Sequence, residues 1–144
     1  MTSFKEFEHE GWELVADKYH QYFEHLTRQT IPALMENIKS GAKVIDVASG
    51  PGYVAAAAEE KGCTVTGVDF SAVMVKKAAS NYPKITFAEG DAENLSFDDK
   101  SFDDYIMNFG LLHLEQPEKA LAEAHRVLRK GGTAAFTVWA PPDR

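Results

Sequence analysis

A glycine-bearing turn between a β-rich segment and an alanine-rich segment is the feature that most constrains this chain. Residues 44–55 read VIDVASGPGYVA, which is typical of a strand, a tight loop and the start of a helix. A loop of this kind presents backbone N–H groups at a helix N-terminus, where nucleotide-like ligands bind. Asp46 departs from the usual pattern, because burying a lone carboxylate inside a strand is costly. The stretch predicts a ligand-binding α/β fold in which Asp46 needs an explanation.

The same strand-then-helix pattern repeats along most of the chain. Five β-rich segments are predicted, at KVIDVA, TVTGVD, ITFAEGD, DYIMNFG and TAAFTVW. Helices are predicted between them over residues 53–61 and 71–82, and from Pro117 to a stop at Gly131. Such alternation predicts a doubly wound, Rossmann-like sheet of five parallel strands with helices on both faces. Ligands of such sheets bind outside the carboxyl ends of the strands.

The residues before the first strand carry helical periodicity instead. Apolar residues recur at helical spacing from Trp12 to Leu26 and predict an amphipathic helix. A second helix is expected to have Thr30 as its N-cap and to end at Gly41. The first forty residues are therefore predicted to form a helical cap beside the sheet.

The composition limits the number of domains and the classes of partner. The 144 residues, 44% of them hydrophobic, suit one domain, which we divide into a cap over residues 1–40 and a cofactor-binding core over residues 41–144. A net charge of −7 argues against a nucleic-acid or anionic-membrane surface, so a small molecule is the expected partner. The single cysteine, Cys63, excludes an internal disulfide and fits a reducing compartment, so we expect the cytoplasm. No apolar run reaches the roughly 20 residues that cross a bilayer, and no ligand-spaced histidine cluster predicts a metal.

Three carboxylates recur at corresponding places in successive strand–helix units. Asp46 lies in the first strand, Asp69 ends the second, and Asp91 follows the third. Because parallel strands place their carboxyl ends at one edge of the sheet, the three are expected around a single crevice. The same loops contain no Lys or Arg, so the crevice suits a ligand with hydroxyls, amines or positive charge better than a bare phosphate.

Each residue of this edge has a candidate contact with an adenosine-like ligand. Asp69 can accept hydrogen bonds from both ribose hydroxyls, a role that dinucleotide and adenosine binders share. Gly50 and Gly52 let the backbone turn sharply and approach the ligand. Asp46 favours a ligand with an ammonium or sulfonium group, held directly or through water, over a pyrophosphate. A buried carboxylate satisfied by loop N–H groups is the alternative for Asp46.

An adenine ring has candidate partners of its own. Asp91 can accept from its exocyclic amine while the Ala92 N–H meets a ring nitrogen. Phe70 and Met74 are available for the two faces of the ring, although both residue types are also common in ordinary packing. Turn formation or helix capping is the alternative role for the two aspartates, Asp69 and Asp91.

Several motifs, taken in order from about Lys43 to Trp139, resemble the class I S-adenosylmethionine-dependent methyltransferases. The resemblance is strongest to the ubiquinone/menaquinone-biosynthesis-like (Methyltransf_11-type) small-molecule group. It is carried by VIDVASGPG, GVDFSAVMV, FAEGDAENLSF, FDDYIMNFGLLHL and EAHRVLRKGGTAAFTVW. It implies S-adenosylmethionine as cofactor and S-adenosylhomocysteine as product. It also implies that Asn108 lies beside the methionine part of the cofactor, near the transferred methyl. By the same resemblance, Asp46, Gly50 and Gly52 line that part of the cofactor.

Two departures from this family pattern stand out. Ala48 occupies the place of the family's first loop glycine, which we expect to be tolerated unless the position needs a positive φ. The chain ends after its fifth strand, whereas the resemblance implies two more strands, the last of them antiparallel. We therefore expect either a fragment of a longer protein or a minimal variant of the fold. In both cases the sheet is truncated and has an exposed edge at which a homodimer could form.

Two further residues are candidates for the site. His113 in LLHL follows the fourth strand, near the expected entrance of the acceptor, and can act as a general base. A structural histidine packed under that loop is the alternative. In similar enzymes the N-terminal helices cover the cofactor, so Tyr19 is a candidate ligand contact, although an aromatic stripe at helical spacing is also typical of a core.

The predicted reaction is methyl transfer to an oxygen, nitrogen or carbon nucleophile of a small molecule by in-line displacement. Positioning alone can lower such a barrier by about 7–11 kcal/mol, so a dedicated catalytic residue is optional. A noncatalytic S-adenosylmethionine-binding or partner-assembly module is the first alternative. An NAD-dependent oxidoreductase is the second, and both Asp46 and the EGDA segment count against it.

Overall fold

The computed structural model describes residues 2–142, except for the side chains of residues 17 and 19–22. Three helices precede the first strand: α1 (Phe4–Tyr22), α2 (Glu24–Arg28) and α3 (Ile31–Met35). The rest alternates, in the order β1 (Lys43–Val47), α4 (Tyr53–Glu60), β2 (Thr64–Asp69), α5 (Ala72–Asn81), β3 (Thr86–Glu89), β4 (Phe102–Asn108), a 3-10 helix (Leu111–His113), α6 (Pro117–Val127) and β5 (Leu128–Thr137).

The five strands form one parallel sheet in the order β3-β2-β1-β4-β5. This order confirms the predicted Rossmann-like, doubly wound fold. The strand order reverses at β1, which pairs with β2 on one side and with β4 on the other. The crevice at this switch point is where such sheets bind ligands.

Side chains of the central strands alternate between two apolar layers. Ile45 and Val47 of β1 pack in one layer with Ala120 and Ala124 of α6. Val44 of β1 packs in the opposite layer, with residues of α3 and α4. Because side chains of a strand alternate with a period of two, Asp46 shares the face of Val44 and is buried under α4 rather than pointing along the sheet edge.

Two predicted helix boundaries are wrong. The helix after Thr30 ends at Met35, and the Thr30 side chain does not cap it. The final helix ends at Val127 instead of Gly131, because the chain passes directly into β5. The glycines after it lie in that strand near a register shift: Gly131 has φ +84°, and a Cβ on Gly132 would lie 2.7 Å from the Asp103 carbonyl oxygen. They permit a close strand contact rather than a helix stop.

Helix α1 lies across the carboxyl edge of the sheet and is held there by polar contacts. Lys77 Nζ donates to the Ala16 carbonyl at 3.2 Å, and the Val73 N–H donates to Glu13 Oε1 at 3.4 Å. These contacts fix α1 to α5, which follows β2. None of the described helices is long and apolar enough to cross a membrane.

Candidate functional site

A cavity of about 460 Å³ opens at the carboxyl edge of the sheet, with α1 as its roof. The strand ends and the loops after them form its floor. Of the residues predicted from the sequence, the cavity is lined by Ala48, Gly50, Asp69, Phe70, Met74, Asp91, Ala92, Asn108 and His113. Gly52 and Asp46 lie outside it, and the side chain of Tyr19 lies outside the described residues.

The loop between β1 and α4 contains three residues with positive φ. Ala48 has φ +59°, Gly50 +51° and Gly52 +97°. Position 48 therefore does need a positive φ, the case in which we expected alanine in place of glycine to be unfavourable. An alanine in this region costs roughly 1–2 kcal/mol. Ala48 also lines the cavity, so this strained part of the loop is next to the candidate ligand site.

Gly52 is constrained by packing rather than by ligand approach. A Cβ at this position would lie 2.9 Å from Cζ of Phe87 and 3.0 Å from Cδ2 of Tyr82. Gly52 also precedes the first residue of α4 in a left-handed conformation. Of the two glycines, only Gly50 lines the cavity.

The Asp69 carboxylate links the glycine-bearing loop to the start of α5. Its Oδ2 accepts from the Gly50 N–H at 2.9 Å, and its Oδ1 accepts from the Ser71 N–H at 3.0 Å. Burial raises the pKa of Asp69, while the two backbone hydrogen bonds oppose that rise. A carboxylate has about four acceptor sites, so two remain for the hydroxyls of a ligand in the cavity.

Asp46 lies in a small polar side pocket of about 30 Å³ next to the cavity, together with Ser49 and Asn108. It is 1% exposed, and neither of its oxygens, nor the Ser49 hydroxyl, has a hydrogen-bond partner among the described residues. Burial, followed by the nearby charge of Asp69, raises the pKa of Asp46 to about 8. A pocket of this size holds one water or one ammonium group. The two oxygens can accept hydrogen bonds from such a water or from an ammonium group.

Asp91 is paired by a lysine from outside its own loop. Lys5 Nζ of α1 lies 2.8 Å from Asp91 Oδ2 and 3.6 Å from Glu93 Oε2. The other Asp91 oxygen accepts from the Glu93 N–H at 2.9 Å. The sheet edge with Asp69 and Asp91 is therefore less negative than the loop sequences suggested, because Lys5 of α1 places a positive charge next to Asp91.

Asn108 at the end of β4 is held by three separate segments. Its Oδ1 accepts from the Thr30 hydroxyl at 2.7 Å and from the Thr137 hydroxyl at 2.5 Å. Its Nδ2 donates to the Thr27 carbonyl at 3.1 Å. These bonds fix the amide between the cavity and the side pocket, both of which it lines.

His113 contacts two residues of α1 that the sequence did not connect with it. Its Nδ1 lies 2.9 Å from Glu8 Oε2, and its ring meets Trp12 edge to face with centroids 5.1 Å apart. All three residues line the cavity. No local pattern could have revealed the pairing, since Glu8 and His113 are 105 residues apart.

The part of the cavity near α1 and the end of β5 is aromatic. The Phe109 and Trp139 rings stack with centroids 4.2 Å apart and planes at 20°. Phe7, Trp12 and Phe23 also line the cavity, and Phe7 is 66% exposed. A flat apolar molecule can fit here beside the polar strand ends, since aromatic rings favour offset stacking.

The comparisons with known proteins identify a family. A model described as a methyltransferase domain (Methyltransf_11) matches residues 45–136. The chain is 39% identical over 106 residues to a demethylmenaquinone methyltransferase of Paenarthrobacter aurescens, covering 74% of this chain and 42% of that protein. It is 41% identical over 102 residues to the ubiquinone/menaquinone biosynthesis C-methyltransferase UbiE of Bartonella bacilliformis, covering 65% of this chain and 39% of that protein.

A solved structure agrees with the sequence matches. The YcgJ protein from Bacillus subtilis superposes with a TM-score of 0.74 at 27% identity, covering 80% of this chain and 53% of that chain. The chain spans less than half the length of the two curated relatives. The chain belongs to the methyltransferase domain family, among the class I S-adenosylmethionine-dependent methyltransferases of the ubiquinone/menaquinone-biosynthesis type.

Proposed function

We propose that this chain binds S-adenosylmethionine in the cavity and transfers its methyl group to a flat, largely apolar small molecule. The observation that carries the proposal is that one cavity joins the Asp69 carboxylate and the loop backbone at Gly50 to a wall of aromatic rings. The polar floor suits the nucleoside and amino-acid parts of the cofactor. The aromatic wall suits the acceptor.

The cofactor contacts are assigned from chemistry and position. The free acceptor sites of Asp69 take the ribose hydroxyls, and Phe70 and Met74 take the adenine faces. Asp91 and the Ala92 N–H take the edge of the adenine. The side pocket with Asp46 takes the ammonium of the methionine part, directly or through one water, and Asn108 lies beside that part. When bound, the cofactor supplies an activated methyl group on sulfur, so the protein mainly has to position the reactants.

The acceptor class follows from the aromatic wall and from the names of the relatives. A demethylmenaquinone methyltransferase is among them. The stacked pair of Phe109 and Trp139 can hold a fused-ring quinone by stacking. The reduced, hydroxylated form of such a ring is electron-rich and can attack a methyl carbon, whereas the oxidised form is electron-poor. A reduced quinone that is methylated on carbon is therefore the proposed acceptor.

His113 is the proposed general base. It would accept the proton of a ring hydroxyl as the neighbouring ring carbon bonds to the methyl carbon, with the electron pair of the broken carbon–sulfur bond left on sulfur. The hydrogen of that ring carbon would then move to the hydroxyl oxygen and restore the aromatic ring. A positioned base of this kind contributes about 10²–10⁴-fold. The position of His113 in the cavity wall, near Phe109, supports this role.

Calorimetric titration of the purified chain tests the cofactor assignment. S-adenosylmethionine and S-adenosylhomocysteine are expected to bind, and NAD is not. Asp69→Asn, which keeps the shape and removes the charge, is expected to weaken binding about tenfold or more, since hydrogen bonds to a charged group contribute about 1.5–3 kcal/mol. Glu60→Gln at the far end of α4 is the matched control. Binding of NAD alone would overturn the proposal in favour of an oxidoreductase.

Turnover tests the reaction separately from binding. Short-chain demethylmenaquinone, reduced chemically in the assay, is incubated with S-adenosylmethionine carrying a labelled methyl group, and label on the ring carbon is measured. Label on the product is expected. Tight cofactor binding without transfer to this or to related reduced quinones would support a noncatalytic binding module instead.

A further inference from the structure

Glu8 of α1 and His113 after β4 form a hydrogen-bonded pair in the cavity wall. Glu8 Oε2 and His113 Nδ1 are 2.9 Å apart, and the two side chains are 16% and 36% exposed. The pair is therefore partly shielded from water yet open to the cavity. An ionised carboxylate can only accept a hydrogen bond, so the contact requires a proton on Nδ1.

We propose that Glu8 is a positioning residue that holds His113 in the tautomer with Nδ1 protonated. This inference rests on the proposed function, in which His113 accepts a proton from the acceptor. With the proton fixed on Nδ1, the lone pair is on Nε2, the nitrogen that remains to face a substrate. Among the residues that the structure describes, Nε2 has no hydrogen-bond partner.

The same face of α1 also restrains the orientation of the imidazole ring. Trp12 lies four residues after Glu8, so the two side chains are neighbours on the helix surface. The Trp12 and His113 rings meet at 88°. The backbone of His113 is fixed as well, since its N–H donates to the Gly110 carbonyl at 3.1 Å. A hydrogen bond, a ring contact and a 3-10 helix together leave the imidazole little freedom.

The pairing has a consequence for proton transfer. As His113 Nε2 takes the proton of the acceptor, the ring gains a positive charge, and the Glu8 carboxylate stabilises that charge across the Nδ1–H bond. Without a carboxylate partner, the ring populates both tautomers, and the form with a proton on Nε2 cannot accept. The cap helix therefore contributes to the reaction in addition to covering the cavity.

The tautomer can be measured without turnover. The ring ¹⁵N shifts of His113 are recorded in protein labelled at histidine, with His113→Asn used to assign one signal among the five histidines. The wild type is expected to show the Nδ1–H form. In Glu8→Gln, the amide can donate to Nδ1 and should shift the ring towards the Nε2–H form. Glu10→Gln, which removes the same charge from an exposed position of α1, should leave the His113 signals unchanged.

Kinetics then separates positioning from structural support. With S-adenosylmethionine and reduced short-chain demethylmenaquinone, Glu8→Gln is expected to lower kcat about 10–100-fold and to leave the KM for S-adenosylmethionine within about twofold. Glu8→Asp should recover part of the loss. Glu10→Gln should match the wild type.

The outcomes distinguish the two proposals. An unchanged His113 tautomer in Glu8→Gln, or an unchanged kcat beside normal cofactor binding, overturns the role of Glu8 and leaves the proposed function intact. An equal loss of kcat in Glu10→Gln also overturns it, because the effect would then be general to α1. Failure of the wild type to bind S-adenosylmethionine overturns the proposed function, and the tautomer result then still decides whether Glu8 orients His113.

Discussion

Lys5 Nζ lies 2.8 Å from Asp91 Oδ2, which ties the first turn of α1 to the loop after β3. Both residues line the cavity. Asp91 is also the proposed acceptor for the adenine amine. In the proposed complex, the ion pair would hold α1 against the loop after β3, and it would engage one oxygen of the residue assigned to the adenine edge.

Lys5→Met is expected to speed release of S-adenosylhomocysteine by up to about fivefold. An ion pair that is about two-fifths exposed on each side contributes roughly 0.2–1 kcal/mol, which sets the size of the effect. Stopped-flow measurement of the dissociation rate checks this. Raising the salt concentration should speed release from the wild type and not from Lys5→Met, while Lys18→Met on the exposed side of α1 should behave as the wild type.

Asp46 should make the stability of the unliganded chain fall as the pH rises. Its pKa is raised from 3.8 to about 8 in the folded chain, so between these values the unfolded chain has already lost the proton that the folded chain keeps. Unfolding then releases a proton, and the free energy of unfolding decreases by about 1.4 kcal/mol per pH unit across this window. The decrease should stop above pH 8.

Asp46→Asn isolates this effect, because the amide keeps the shape and does not titrate. We expect the variant to gain stability over the wild type steadily from about pH 4 to about pH 8. Urea unfolding of both proteins at pH 5, 6.5 and 8 measures the difference, in which titrating groups that do not interact with Asp46 cancel. A constant difference across this range would contradict the assigned pKa.

Cofactor binding should release the Asp46 proton. The proposed ammonium contact needs the ionised carboxylate, which is the minor form of the free protein below pH 8. Affinity for S-adenosylmethionine is therefore expected to rise by up to about tenfold per pH unit from pH 6 to pH 8. Calorimetry in two buffers with different ionisation enthalpies should count close to one proton released at pH 6.5. Asp46→Asn should bind more weakly, with no release, and equal release by both proteins would exclude Asp46 as its source.

Much of the fold could be predicted because its signals are local in the sequence. Alternating β-rich and helical segments identified all five strands, and Asp69 and Asp91, which were singled out from their places at the strand ends, both line the cavity. The contacts of α1 could not be predicted in this way, since Lys5 and Glu8 meet partners 86 and 105 residues away. The end of α6 was misplaced because Gly131 and Gly132, which usually stop a helix, instead permit a close strand contact.

Ala48→Gly is expected to stabilise the chain by about 0.5–1 kcal/mol. A glycine removes the roughly 1–2 kcal/mol cost of the left-handed conformation at φ +59°, and the greater freedom of the unfolded chain offsets part of the gain. Ala57→Gly in the middle of α4 is the matched control and should destabilise by about 1 kcal/mol. Thermal unfolding of the two variants should therefore shift in opposite directions, and a loss of stability in Ala48→Gly would mean that the Ala48 methyl group has a packing role that outweighs the strain.

Gly52→Ala and Gly41→Ala separate backbone strain from steric conflict. Both glycines have a strongly positive φ, +97° and +86°, so alanine at either position costs about 1–2 kcal/mol in backbone conformation. A Cβ at Gly41 meets nothing within 4 Å, whereas at Gly52 it meets the rings of Phe87 and Tyr82 and the Ala78 methyl at 2.9–3.3 Å. Overpacking of this kind costs a further 1–3 kcal/mol or so, and the free energy of unfolding in urea should show that difference between the two variants. Equal losses would mean that Phe87 and Tyr82 move aside, and the requirement for glycine at position 52 would then be conformational alone.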